Sequence, residues 1–326
     1  MDLSIIIVNW KSIAYLRDCL RSIDYHANGI TFEIIVVDNA SGDGCPEILA
    51  DEFPTVRCIA SAENLGFAGA NNLGVQHARG RNLLFLNPDT VIMANALQAM
   101  MSTLDSRADA GAVGVMLLNS DFSVQTCCVQ SFPTILNQVL DAEALRKCFP
   151  RSRLWGMQAL FDGDAATASV DSISGACLMI KDGTFAEVGG FSTDYFMYAE
   201  DVDLCFRVKK AGHRNYLVSS ARVVHHGGRS SAHEPQNNFA AVLMRESRLR
   251  WLRTWRGATY AALYRASTAV AAGCRLAVLE TGIAVVRRGD RKSALGYSAE
   301  KWNKILRWSL GLEPWAKKLT VQAAKA

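Results

Sequence analysis

Along the first part of the chain, apolar runs alternate with amphipathic segments at the spacing of βαβ units, which calls for a mostly parallel sheet with helices on both faces. The strand-like runs are Leu3 to Val8, Glu33 to Asp38, Thr55 to Ala60, Asn82 to Asn87 and Ala112 to Leu118. Between them Ile13 to Tyr25, Cys45 to Phe53, Gly66 to Ala78 and Ala94 to Ser106 carry apolar stripes at helical spacing. Short polar loops join these units, as in compact α/β folds. Ligands of such a sheet bind beyond the carboxyl ends of its strands, so the polar residues closing each run are the first to weigh.

From about residue 119 to 171 the pattern loosens, with Cys, Pro, Trp and Phe in no sustained period, and an insertion over the site is expected there. Order returns with a strand over Ser172 to Ile180, a short helix over Lys181 to Val188, a helix from Glu200 to Ala211 closed by Gly212, and a strand over Asn215 to Val224. Residues 1–235 are therefore expected to form one α/β domain, and 236–326 a basic helical region. Its helices are expected over Phe239 to Trp255, Ala258 to Val286 and Ala299 to Leu310.

Of 326 residues half are hydrophobic, enough for one large core. Met1 to Ile5 lead straight into a strand-like run without a basic stretch or cleavage site, so a cytosolic protein is expected. Nine scattered cysteines without a C-x-x-C argue for reduced thiols rather than a disulfide framework or zinc site. The net charge of +4 hides a division: 17 basic against 5 acidic residues from Arg245 to Ala326 make +12, leaving −8 for residues 1–244. Such a tail suits an anionic membrane surface or nucleic acid, and no nucleic-acid recognition motif is present. Arg265, Arg275 and Glu280 interrupt the apolar stretch Tyr260 to Val286, which speaks against a spanning helix. Two readings stand equal: interfacial helices with Trp251, Trp255, Trp302, Trp308 and Trp315 at headgroup depth, or a helical pack against the α/β body or a second copy in a homodimer.

Several strand ends carry chemistry. Asn87-Pro88-Asp89-Thr90 sets one carboxylate after an apolar strand. An Asn-Pro-Asp turn is ordinary loop chemistry, yet a hard ion such as Mg2+ or Mn2+ is often held by one or two carboxylates plus substrate phosphates. His225, at the end of the last strand-like run, offers an imidazole that suits Mn2+. Asp38 opens a second polar loop, where it could accept from a base N–H while Asn39 and Ser41 cap the next helix. Glu63 to Asn72 repeats the arrangement, its glycines permitting close backbone approach and Asn64 and Asn71 offering amides. Glu200-Asp201-Val202-Asp203 starts a helix, where acids are favoured by the macrodipole. The preceding Tyr195-Phe196-Met197-Tyr198 would partly desolvate one carboxylate toward a general base; Asp201 is the first choice, Glu200 the second, and Asp203 faces elsewhere.

Taken together, Ile5 to Trp10, Val36 to Ser41, Glu63 to Ala68, Leu86 to Thr90, Ser174 to Cys177, Glu200 to Arg207 and His225-His226-Gly227-Gly228 resemble glycosyltransferase family 2 with the GT-A fold, in particular its rhamnosyltransferase-like members. The resemblance covers about two thirds of the chain, in family order. It implies an inverting transfer of a sugar, rhamnose being the first candidate, from a nucleoside-diphosphate donor to a glycan or polyprenyl-linked acceptor in cell-envelope polysaccharide synthesis, at the inner face of the cytoplasmic membrane. Asp38 would contact the base, Asp89 and His225 the metal, and Asp201 the acceptor hydroxyl. Val8, Asn9, Trp10, Asn39, Asn64, Gly66, Asn71, Asn87, Gly175 and Ala176 would line the donor. The chain departs from the fuller Asp-x-Asp signature by Asn87, and from the usual Tyr by Trp10, whose ring can equally stack on a base.

A nicotinamide oxidoreductase needs a glycine-rich turn after the first strand, and Val8-Asn9-Trp10-Lys11-Ser12 has none. A catalytically inactive sugar-nucleotide-binding or scaffold protein of the same fold is opposed by the presence of Asp38, Asp89, Asp201 and His225 together.

Overall fold

The computed structural model describes residues 1–141, 143–161, 167–227, 238–285 and 290–323. In chain order the elements are β1 (Leu3–Asn9), α1 (Ile13–His26), β2 (Phe32–Asp38), α2 (Cys45–Glu52), β3 (Arg57–Ala60), α3 (Gly66–Val75), β4 (Asn82–Leu86), β5 (Thr90–Ile92), α4 (Ala96–Ser106) and β6 (Ala110–Leu118). The insertion holds β7 (Val129–Gln130), α5 (Ile135–Val139), α6 (Glu143–Cys148) and β8 (Thr167–Val170). Then follow β9 (Ser172–Ile173), β10 (Cys177–Lys181), α7 (Asp182–Glu187), α8 (Glu200–Lys210), β11 (Arg214–His225), α9 (Phe239–Arg256), α10 (Ala258–Val285), α11 (Asp290–Ser309) and α12 (Pro314–Ala323).

Nine strands form one sheet in the order β3-β2-β1-β4-β10-β6-β11-β5, with β8 beside β11. β1 to β4 are parallel, and β10 runs antiparallel between β4 and β6. Alternate side chains feed two cores, as the strand period of two demands. Ile5 and Ile7 pack on Leu16, Leu20 and Met100, while Ile6 turns to Ala68, Phe185 and Val202. The register Asn9↔Asp38 brings two polar strand ends side by side.

The expected elements are present, with differences that have local causes. β3 starts two residues late and α3 stops three early. The single strand expected over Ser172 to Ile180 is two, β9 and β10, because the backbone leaves the ladder at Ser174–Ala176. β5 follows the Asn-Pro-Asp turn directly and pairs with the end of β11, His225 opposite Thr90. Helix α2 begins at Cys45 behind Gly44, without a side-chain cap, so Asn39 and Ser41 do not cap it as expected. All nine cysteines carry free thiols.

The carboxyl-terminal helices share the second core, where Val242, Trp251, Leu252 and Trp308 pack with Phe85 and Val202. For Trp251 and Trp308, both buried, this corrects the reading that placed them at headgroup depth and agrees with the alternative of a helical pack against the α/β body. Trp251 stacks on Phe132 and meets Phe206 edge-on. Trp308 and Trp255 donate their indole N–H to Glu246 and Asp203 (2.8 and 2.7 Å), and Trp315 stacks on Phe239. Four large aliphatic side chains that α10 leaves outside, Leu263, Val270, Val278 and Val285, are spaced seven or eight residues apart and so lie on one helical face, beside the exposed Cys274 and Thr281. Ala258–Val285 is nevertheless long and apolar enough to cross a membrane by length and composition. Gly228, the last residue of the histidine motif, the 235/236 boundary and Val286 lie outside the described residues.

Candidate active site

Asp89 is buried, only 2 % exposed, and neither carboxylate oxygen has a hydrogen-bond donor among the described residues. An ionised carboxylate in that position is costly unless a cation completes it. His225 is brought to it by the β5–β11 pairing: Nε2 lies 3.3 Å from Asp89 Oδ1, within ion-pair distance though not in hydrogen-bonding geometry, and 3.3 Å from Asn87 Nδ2. The backbone N–H of His226 donates to the Asp89 carbonyl (2.9 Å). His226 itself turns away, its Nδ1 at 2.8 Å from Ser120 Oγ.

Sequence reasoning missed Gln125. Its Nε2 donates to the His225 carbonyl (2.5 Å), which fixes the amide so that Oε1 faces His225 Nδ1 at 3.0 Å. Because Oε1 only accepts, Nδ1 must carry the proton, and the lone pair of a neutral His225 sits on Nε2, toward Asp89. Asn87 Nδ2 donates to that lone pair at 3.3 Å, and a divalent cation taken up between Nε2 and the donorless carboxylate would replace this bond, with Gln125 orienting the imidazole from behind. Asp89 and His225 thus fit a hard ion that takes further oxygens from a diphosphate.

Asp38, Asp43 and Cys45 form a second cluster, with ligand atoms within 4.8 Å of one another. Its chemistry is less suited to Mg2+ or Mn2+: the hydrogen bond with Cys58, and then burial, push the Cys45 thiol up, and a protonated thiol is a poor ligand for a hard ion. Asn9 is fully buried and donates Nδ2 to Asp43 (3.1 Å) and Asp38 (3.3 Å), tying the ends of β1 and β2 together. Burial raises the Asp38 carboxyl, and the Asn9 amide opposes it. The Lys11 N–H donates to Ser41 Oγ (2.7 Å), and Lys11 Nζ stands 5.2 Å over the half-buried Trp10 ring. Val8 ends on the same edge, opposite Val37.

Asn39 joins this edge to the next loop, donating to Asn64 Oδ1 (2.9 Å) and accepting from Leu65 N–H (2.8 Å). Gly66 is at φ +69°, and a Cβ there would lie 2.4 Å from the Phe196 carbonyl, so its bareness serves the approach of Phe196 rather than of a ligand. Phe67 N–H closes that contact on the same carbonyl (3.1 Å). Asn71 is enclosed, donating to Phe67 O one turn back (2.9 Å), so the structure does not bring its amide to the strand-end edge as expected.

The loop held by Phe196 leads to the acids. Tyr198 and Ala199 both take positive φ, 67° and 71°, strain of the kind that clusters at functional sites. Asp201 is half-buried and accepts from Gly175 N–H (3.0 Å) and Val202 N–H (2.8 Å). The break between β9 and β10 supplies the first of these donors, so Gly175 touches the acid; Ala176 O accepts from Asn87 N–H (3.0 Å) and links this break to the Asp89 turn. Glu200 is the desolvated member of the pair, a correction to the expectation that favoured Asp201 on this ground: burial, and then the Asp201 charge, raise its carboxyl well above the usual range. Asp203 points into the core, accepting from Trp255 Nε1 and Arg207 Nε (both 2.7 Å).

Glu200 has a measurable pH signature. Its folded pKa is raised, so between the unfolded value near 4.5 and the folded one the native state alone holds the proton, and stability falls as pH rises. Glu200→Gln should remove that fall, by up to about 1.4 kcal/mol per pH unit. Urea midpoints of the two proteins should coincide near pH 4 and separate in favour of Gln above it.

Residues 4–126 match the glycosyl transferase family 2 model. The chain is 29% identical over 250 residues to the N-acetylglucosaminyl-diphospho-decaprenol L-rhamnosyltransferase of Mycobacterium tuberculosis, covering 73% of this chain and 80% of that one. It is 24% identical to the rhamnosyltransferase WbbL of Escherichia coli over 74% of this chain and 88% of WbbL. Among solved structures, the mannosyltransferase PcManGT from Pyrobaculum calidifontis, in complex with GDP-Man and Mn2+, superposes with a TM-score of 0.56 at 18% identity, over 99% of this chain and 85% of that one, which is a likeness of fold. With these matches and the strand-end acids in place, the chain is similar to the family 2 glycosyltransferases, their rhamnosyltransferases in particular, and has the GT-A fold.

Proposed function

We propose that the protein transfers a hexosyl group, rhamnose being the first candidate, with inversion, from a nucleoside-diphosphate sugar to a lipid-diphosphate-linked sugar during cell-envelope polysaccharide synthesis. The observation that carries this is Asp89, buried with two donorless oxygens and facing His225 Nε2 at 3.3 Å. The acceptor class comes from the mycobacterial relative, whose name gives a diphospho-decaprenol acceptor.

Asp38 receives the base and Trp10 stacks on it, while Asn9 holds Asp38 in place. Asp89 and His225 would hold Mg2+ or Mn2+, which would supply charge neutralisation to the leaving diphosphate. Asp201, kept accessible and oriented by Gly175 and Val202, takes the proton of the acceptor hydroxyl as that oxygen bonds to the anomeric carbon from the face opposite the diphosphate. The anomeric C–O bond breaks, and its electron pair leaves with the nucleoside diphosphate. A panel of nucleoside-diphosphate sugars with Mn2+ should contain one that raises the melting temperature, since a ligand at a hundred times its dissociation constant adds about 2.7 kcal/mol. Stabilisation that is absent for every member, or unchanged by EDTA, would count against the reading.

We further propose that the exposed aliphatic stripe of α10 rests on the cytoplasmic face of the membrane, where a lipid-linked acceptor resides. Deleting the whole region would open the second core at Trp251 and Trp308, so it is no test. Replacing Leu263, Val270, Val278 and Val285 with Ser should instead lower co-sedimentation with anionic vesicles several-fold at unchanged melting temperature. Equal sedimentation of the variant would refute the contact.

A further inference from the structure

Arg248 on α9 is 6 % exposed. Its Nη2 donates to Gln130 Oε1 at 2.9 Å, while Nε and Nη1 have no acceptor among the described residues. A buried guanidinium with two idle donors is costly, and buried donors of this kind normally have a partner. Two further guanidinium groups lie beyond it: Arg245 and Arg275 both stand over the Trp302 ring, at 5.1 and 4.2 Å from its centre. Arg275 also donates to the Val139 carbonyl and Arg245 to that of Ala241 (both 2.9 Å). Burial lowers the pKa of each, and for Arg275 the charge of Arg245 adds to it. The buried Tyr264 phenol is close enough to feel both Arg245 and Arg248, so the three cations form one run.

The acids near this run leave it positive. Asp141 is committed to Arg146, whose Nε lies 2.7 Å away. Glu246 accepts from Trp308 Nε1, and burial favours the neutral form of Glu200. Its place relative to the reaction follows from the stretch 125–130. Gln125 holds His225 at the metal side, the Cys128 carbonyl accepts from Ser174 N–H (3.0 Å) next to the Gly175 N–H that donates to Asp201, and Gln130 holds Arg248. Arg248 therefore comes after the base along a path that starts at the donor's leaving group, which is where the acceptor must lie.

We propose that Arg248, backed by Arg245 and Arg275, binds the diphosphate of the acceptor, so that the sugar it carries presents its hydroxyl to Asp201. This rests on the reading above that the acceptor is a diphosphate-linked sugar. The idle Nε–H and Nη1–H leave the guanidinium along different edges, so each can donate to its own phosphate, and guanidinium is the side chain best suited to phosphate oxygens.

The test is calorimetric titration of the full chain with geranyl diphosphate in EDTA, which withdraws the cation that donor binding uses. Wild type should bind, Arg248→Gln and Arg275→Gln should each bind about tenfold or more weakly, and Arg248→Lys should recover part of the loss. UDP or dTDP with Mn2+, in a parallel titration, should leave the affinity unchanged. Absence of binding by wild type, wild-type affinity in both Gln variants, or displacement by nucleotide would overturn the proposal, the last because it would assign the arginines to the donor. Should Arg248→Gln not fold, Arg245→Gln and Arg275→Gln decide. Asp89→Ala should keep geranyl diphosphate binding while losing Mn2+-dependent nucleotide binding, so a failure of the donor site and a failure of the arginine site give different patterns.

Discussion

Asp201→Asn is expected to reduce glycosyl transfer about a thousandfold while leaving donor affinity within about twofold, because a general base contributes roughly 10²–10⁴ to the rate. Asp201 accepts from Gly175 with Oδ2 and from Val202 with Oδ1, so the amide keeps one of these hydrogen bonds and loses the other, and a melting temperature within a few degrees of wild type checks that the loop survives. The amide also loses the capacity to take a proton. Single-turnover transfer and donor calorimetry on the same preparation separate the two effects. A variant with near-native turnover would remove Asp201 from the mechanism and turn attention to Glu200. The burial of Glu200 argues against that alternative, since an enclosed carboxyl kept toward its protonated form is ill placed to receive a proton from a sugar hydroxyl.

The second large effect belongs to Asp89. Asp89→Ala should weaken Mn2+-dependent donor binding by about a hundredfold or more, yet raise or leave unchanged the stability of the free protein. The reasoning is asymmetric: the carboxylate is a cost without the cation and a ligand with it. Its oxygens have no donor among the described residues, so removing them breaks no hydrogen bond there. Calorimetry with and without EDTA, paired with urea denaturation of the metal-free proteins, checks both halves. A large loss of stability without metal would mean that Asp89 is a structural residue.

The sequence pattern revealed the α/β frame because β1, β2 and β4 are buried runs of Ile, Val, Leu and Phe separated by helical stripes. It also pointed to the acids, since each closes a run or opens a helix. What it hid depends on separation along the chain. Gln125 meets His225 across a hundred residues and lies where the insertion has no period to read. β5 is three residues long, too short for alternation to register, and exists because the end of β11 pairs with it. The tryptophans of the last helices looked interfacial by composition, but a helix inventory does not say which face another core will claim; Trp251 and Trp308 went inside, and Leu263, Val270, Val278 and Val285 stayed out. Arg248 read as one more basic residue of a charged tail until its burial was known.

Gly66 and Asn71 show a related limit. Glycines and amides at a strand end invite a reading in which backbone and side chain serve a ligand, and at these two positions the protein itself takes the space. Phe196 occupies the gap that Gly66 leaves, and the carbonyl of Phe67 takes the amide of Asn71. The loop of Gly66 and the loop before Asp201 are thereby latched together through the Phe67–Phe196 backbone hydrogen bond.

The central claim is that Asp89 and His225 hold a divalent cation on the donor's diphosphate, and pulsed EPR of Mn2+ bound with a nucleoside diphosphate tests it most directly. The account predicts nitrogen modulation from a coordinated imidazole that disappears in His225→Ala, and loss of the bound Mn2+ signal in Asp89→Ala. Bound Mn2+ showing no nitrogen coupling, or undiminished in Asp89→Ala, would contradict it.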